Sequence, residues 1–190
     1  MDNSKIKPEN IIVMKVGPHS NMSLSEIIKT KQEEETIHGV HYWGYSGVLC
    51  QPKKAQEFCR WSLSVSNQAP RLILIETQSS YISNIGAINY FSSNGNDFEA
   101  FSGPVQLQGA QFAFVSRKLK KVENFALDDY LVVGGKNDGK PLSLHLRYRV
   151  NKSFARIKPC NFMDNKGDTV PQITVLEAEL VYPYAIWLES

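Results

Sequence analysis

Residues 70–75 read Pro70-Arg71-Leu72-Ile73-Leu74-Ile75, and the chain is patterned differently on either side of them. Four consecutive aliphatic side chains leave no polar face. The run therefore predicts a strand buried on both sides, as at the centre of a sheet. Before it, apolar residues recur at helical spacing in two places. Beyond about residue 78 that spacing stops, and short apolar runs alternate with Gly, Asn, Asp and Pro.

Working upstream, Ile11-Ile12-Val13-Met14-Lys15-Val16 predicts a first buried strand, ended by Gly17-Pro18. Ser23-Leu24-Ser25-Glu26 matches a capping box, with Gly39 placed as the helix stop. Leu24, Ile27 and Ile28 form its narrow apolar stripe. Lys29, Lys31, Gln32, Glu33, Glu34 and Glu35 are expected to face water. Three acids at positions 33–35 oppose the helix dipole, so the last turn is expected to fray. Val40 to Tyr45 predicts a second strand. Pro52 then suits the first position of a second helix, with Ala55, Phe58, Cys59 and Ser62 on one face.

Downstream, the runs 86–91, 104–107, 111–117, 129–134, 142–150, 153–158 and 172–188 predict strands. Leu142, Leu144, Leu146, Tyr148 and Val150 alternate with Ser143, His145, Arg147 and Arg149, the period of a half-buried strand. Asn137-Asp138-Gly139 supplies turn chemistry, so 129–134 and 142–150 are expected to pair as a hairpin. The expected architecture is one α+β domain over residues 1–190. Two helices in the first 65 residues pack on a mixed sheet, the remainder is mostly antiparallel β, and parallel pairing is open to the βαβαβ start.

Composition narrows the function classes. Hydrophobic residues make up 42% and charged residues 21% of 190, which suits a packed core rather than disorder. A formal charge of +2 lacks the basic footprint of a protein that binds extended nucleic acid. Arg117-Lys118-Leu119-Lys120-Lys121 reads as a solvated strand end. No apolar run approaches the roughly 18 residues of a membrane span. Met1-Asp2-Asn3-Ser4-Lys5 lacks the apolar core of a secretory signal. Cys50, Cys59 and Cys160 form no C-x-x-C pair, which argues against a disulfide framework and for a cytoplasmic setting.

The stretch that looks most like a site is Trp43-Gly44-Tyr45-Ser46-Gly47-Val48-Leu49-Cys50-Gln51-Pro52, followed by Lys53-Lys54. Gly44 and Gly47 permit a sharp turn or a close approach to a ligand. The helix start offers free N–H groups, and Lys53 and Lys54 there oppose the dipole unless an anion sits nearby. Trp43 and Tyr45 share a strand face with His41 and are candidates to stack a planar ring. His145, Arg147 and Arg149 form a second polar stripe suited to gripping phosphate. Cys50 before the helix invites comparison with an activated thiol, with His19 or His41 as base. Ser46 misses the G-x-S-x-G elbow because the second glycine arrives one residue early. His38 and His41 are separated by the helix stop and make no metal pair. No catalytic set, metal or cofactor is assigned.

Met14-Lys15-Val16-Gly17, His19, the capped acidic helix, and Trp43-Gly44-Tyr45 leading to Gly47, Cys50 and Pro52 resemble a group of small uncharacterised proteins of bacteria and their phages. The loop of that group reads W-G-Y-G-G and then C-H-P. Here Ser46 stands for a glycine and Gln51 for the histidine, over a match limited to about residues 11–60. The resemblance implies a phage or mobile-element setting, including proteins that counter host defence.

The function expected from these features is binding of a small anionic ligand, with a nucleotide as the leading class. Trp43, Gly44, Tyr45, Gly47, Lys53, Lys54, His145, Arg147 and Arg149 are the ligand-binding candidates. Sequestration of a signal or inhibition of a host defence protein would follow, and the reading leaves room for a homo-oligomer. The alternatives are a nucleotide-processing hydrolase or transferase using Cys50 or a histidine, and a protein–protein inhibitor.

Overall fold

Leu72 to Ile75 are all buried, and they occupy the middle of the sheet as their apolar run requires. The computed structural model describes residues 7–17, 22–76, 85–123, 125–147, 150–159 and 174–189. The fold is α+β. In chain order it comprises β1 (Asn10–Val16), α1 (Leu24–His38), β2 (His41–Tyr45), α2 (Pro52–Ser66), β3 (Arg71–Glu76), β4 (Ile85–Ser92), β5 (Glu99–Gln108) and β6 (Phe112–Val122). Then follow β7 (Tyr130–Val132), α3 (Leu142–His145), β8 (Lys152–Ile157) and β9 (Val175–Leu188).

The strands form one mixed sheet in the order β2-β6-β9-β3-β1-β8-β7, with β4 pairing both β5 and the far end of β9. Among the described residues only β1 and β3 pair in parallel, Ile11 opposite Arg71 through Val16 opposite Glu76. The βαβαβ start is therefore not a parallel unit throughout. β2 lies at the edge, antiparallel to β6, and runs opposite to β1.

Alternation along β1 and β3 divides the core. Ile12, Met14, Leu72 and Leu74 point to the face covered by α1 and α2, where Leu24, Ile27, Ala55, Phe58 and Cys59 meet them. Ile11, Val13, Ile73 and Ile75 point to the other face, under β7 and α3. The β4–β5 hairpin folds over β2, β6 and the end of β9 and encloses a third cluster, with Tyr42, Val105, Leu107 and Ile186 among its members.

Both helix boundaries obey the local rules. The Ser23 side chain accepts from the Glu26 backbone and Glu26 reaches back, while Gly39 closes α1 at φ 74°. Pro52 opens α2. Three expectations are overturned. Lys31 and Glu34 do not face water: they form a buried pair at 3.0 Å. The acids at the end of α1 serve as acceptors rather than causing fraying, because Glu34 takes the Tyr42 N–H and Glu35 takes the Lys118 N–H. Of the expected strand 142–150, the described residues 142–147 are not a strand. Leu142–His145 is a helical turn, with Leu142 and Leu146 packed four apart into the core beneath β7. The turn at 137–139 does form, with Gly139 at φ 75°, but it returns the chain only to a Leu131–Pro141 bridge. β8 takes the place beside β7 that the hairpin partner was expected to fill.

The cluster Arg117 to Lys121 is the C-terminal stretch of β6, with its four charged residues exposed as expected. Arg117 and Lys118 pair with Glu179, and Lys120 pairs with Glu177. Among the described residues, no helix is long and apolar enough to cross a membrane.

Candidate functional site

On the helix-covered face, the ends of several elements leave a cleft of about 350 Å³. β1 contributes Met14, Lys15 and Val16 with Gly17 after it, and α1 contributes Ile27 and Lys31. Trp43, Gly44, Tyr45 and Ser46 come from β2 and its exit, Gln106, Leu107 and Gly109 from β5 and its turn, and Asn151 and Lys152 from the start of β8.

The β2 end is shaped by its glycines. A Cβ on Gly44 would stand 2.8 Å from the Ala110 Cβ, so only glycine lets β2 approach the β5–β6 turn this closely. Gly47, at φ 91°, takes the turn that leads to α2. Its companion in that turn, Cys50, holds the strained left-handed value of 56° without being glycine.

Three lysines set the electrostatics. Lys31 is 5.8 Å above the Trp43 ring and carries its own counter-ion in Glu34. The Lys15 ammonium donates to the Leu146 carbonyl. Lys152, buried, donates to the Ser46 carbonyl at 3.1 Å and to Asn151 Oδ1 at 3.0 Å, with its ammonium 5.3 Å from the Tyr45 ring centre. Its partners among the described residues are neutral. Burial lowers the pKa of all three; Glu34 opposes the shift at Lys31, and the Cys50 thiol opposes it at Lys152.

The aromatic residues are placed differently from the expectation. His41, Trp43 and Tyr45 do share a strand face, but that face is the core. Tyr45 stacks on Phe114 at 4.3 Å and donates its hydroxyl to the Cys50 carbonyl at 2.7 Å. Trp43 meets His41 edge-on at 6.1 Å. Neither ring has an open face for a base, since Lys152 and Lys31 lie over them. They form the cleft's walls instead. Trp43 Nε1 is buried there with no hydrogen-bond partner.

The remaining candidates do not converge on the cleft. Lys53 and Lys54 are exposed on the first turn of α2 and are not part of its lining. His145 ends α3, its Nδ1 3.2 Å from the Asn137 amide, and burial lowers its pKa. Arg147 follows in the turn after α3, an element packed on the opposite face of the sheet. The Lys15 ammonium reaches the Leu146 carbonyl between these two, but neither is part of the cleft's described lining. Arg149, His19 and Cys160 lie outside the described residues.

The nucleophile reading also changes. Burial pushes the Cys50 thiol up to about 12, outweighing the opposing charges of Lys152 and Lys54, so it stays protonated at neutral pH. His41 is fully buried, with Nδ1 3.0 Å from Glu35 and Nε2 without a partner. Burial lowers its pKa against the pull of Glu35, favouring neutral imidazole.

Sequence reading thus found the β2 end of the cleft and missed the lysines. Lys31 carried a signal, since it continues the Leu24, Ile27, Ile28 stripe at the next helical position. Lys15, a lone charge in a β-branched run, carried a weaker one. Lys152 carried none. Comparison of the chain with protein-family models, curated proteins and solved structures gave no match.

Proposed function

We propose that this protein binds a small anionic ligand, with a nucleotide as the leading class, in the cleft between β1, α1, β2 and β8. The observation that carries the reading is Lys152. A buried ammonium with only neutral partners is costly. A ligand anion is the complement that offsets this cost. Met14, Val16, Ile27 and Leu107 in the lining supply apolar area for the rest of the ligand. Anion binding is assigned to Lys152 rather than to Lys53 and Lys54, while Trp43, Gly44 and Tyr45 keep their place as lining. The resemblance of residues 11–60 to bacterial and phage proteins supports a role in sequestering a signal within phage–host conflict.

Calorimetry with a broad nucleotide panel tests the reading. At least one member should give heat. Lys152→Met should weaken it roughly 10- to 150-fold, the loss expected for one hydrogen bond to a charged group. The pair Lys53→Ala and Lys54→Ala should leave it unchanged. No heat across the panel, or equal affinity in Lys152→Met, refutes the proposal.

A further inference from the structure

We infer that the cleft takes a ligand with one phosphate and no divalent metal, the phosphate at Lys152 and a hydrogen-bond acceptor of the ligand's ring at Trp43. This rests on the reading above and specifies its ligand class.

Donor arithmetic gives the first part. A lysine ammonium has three N–H groups, and Lys152 spends two on Ser46 and Asn151. One remains for a ligand oxygen, in surroundings where its charge is poorly solvated. Lys31 adds little net charge because Glu34 neutralises it at 3.0 Å. Met14 pairs directly with Lys152 across β1 and β8, which puts Lys152 on the helix-covered face, whereas Lys15 turns to the other face and gives its ammonium to the Leu146 carbonyl. One phosphate matches the Lys152 ammonium and its remaining N–H. A triphosphate would bring more negative charge than this lysine balances.

The same lysine sets the metal dependence. Triphosphates are normally handled with Mg²⁺, a hard cation that seeks carboxylate and phosphate oxygens. The Lys152 ammonium in a cleft of about 350 Å³ repels a dication, and the side-chain oxygens on the described lining are neutral ones, from Tyr45, Ser46, Gln106 and Asn151. That volume lies near the lower end of the roughly 300–1,000 Å³ usual for small-molecule sites, room for one small molecule. Trp43 Nε1 gives the second part. It is a buried donor without an acceptor in a wall of the cleft, and a ring nitrogen or carbonyl oxygen would satisfy it.

The experiment is a titration of the full chain with the four common ribonucleosides, their 5′-monophosphates, their 5′-triphosphates with Mg²⁺ or with chelator, and inorganic phosphate. One monophosphate should bind at least tenfold tighter than its nucleoside and than inorganic phosphate, with no change on adding chelator. Lys152→Met should erase the preference over the nucleoside, and Lys152→Arg should retain part of it. The comparison among ligands on the unmodified chain decides the matter even if a variant fails to fold. A nucleoside binding as tightly as its monophosphate, or a Mg²⁺–triphosphate binding tightest, overturns this inference and leaves the binding reading standing. Failure of every ligand to bind overturns both.

Discussion

Glu34→Ala isolates the strongest electrostatic commitment in the fold. Glu34 and Lys31 side chains are each only 8% exposed and 3.0 Å apart, and Glu34 also accepts the Tyr42 N–H at 2.8 Å. Removing the carboxylate leaves a buried ammonium without its counter-ion, which costs about 3–5 kcal/mol. The orphaned Tyr42 N–H adds about 1 kcal/mol or more. For a chain of this length, the pair alone corresponds to a fall in Tm of roughly 6–20 °C. The informative control is Lys31→Met with Glu34→Gln. It removes both charges and keeps an acceptor for Tyr42, so it should lie within about 1 kcal/mol of the parent. Urea unfolding followed by far-UV circular dichroism, with linear extrapolation to water, measures all three proteins. A Glu34→Ala loss below about 1 kcal/mol would refute the reasoning, as would a double variant no more stable than the single.

Gly44→Ala should cost about 1–3 kcal/mol through overpacking, because its Cβ would meet Ala110 at 2.8 Å and Leu107 at 3.3 Å; Ala110→Gly in the same chain should restore much of the loss on thermal unfolding. Glu179 is held at about 2, first by its hydrogen bond from Arg71 and then by Lys118. Its folded pKa is depressed, so its contribution is present above the ordinary carboxylate value of about 4.5 and is lost as pH falls towards about 2. Glu179→Gln should therefore be less stable than the parent at pH 7, and acid titration should show the gap closing over that window. Lys53→Ala and Lys54→Ala should each stabilise the chain by about 0.3–1 kcal/mol at low salt, by removing cations from the start of α2, and the gain should shrink as salt is added.

Much of the fold could be read from residue order. β1, both helices and β3 were legible because runs such as Ile11–Val16 and devices such as the Ser23 capping box act over a few residues. The reading failed where a pattern had two physical solutions. Leu142 and Leu146 satisfy both a period of two and a helical turn, and packing beneath β7 selected the turn. It failed again where charge met burial. Lys31 and Glu34 look like surface residues until a partner is brought within 3.0 Å, and propensity alone cannot place that partner in the core. The candidate site shows the same division. Trp43, Gly44 and Tyr45 announced themselves by composition, whereas Lys152 reaches the cleft only because β8 pairs with β1 across more than a hundred residues. His145 and Arg147 were misplaced for the same reason, since their placement depends on the turn of α3.

The position of β9 has a consequence for biosynthesis. It pairs with β3, β4 and β6, so three separate pieces of sheet meet on the strand that follows them all in the chain. A polypeptide emerging from the ribosome can assemble β1 with β3 and β8, β2 with β6, and the β4–β5 hairpin, yet it cannot join them until residues 175–188 are out. Until then the edges of β3, β4 and β6 are open templates for other chains. We expect nascent chains halted before Val175 to be protease-sensitive and to aggregate, and an added peptide spanning residues 174–189 to rescue them. Equal protease resistance of the halted and full-length chains would refute this order of assembly.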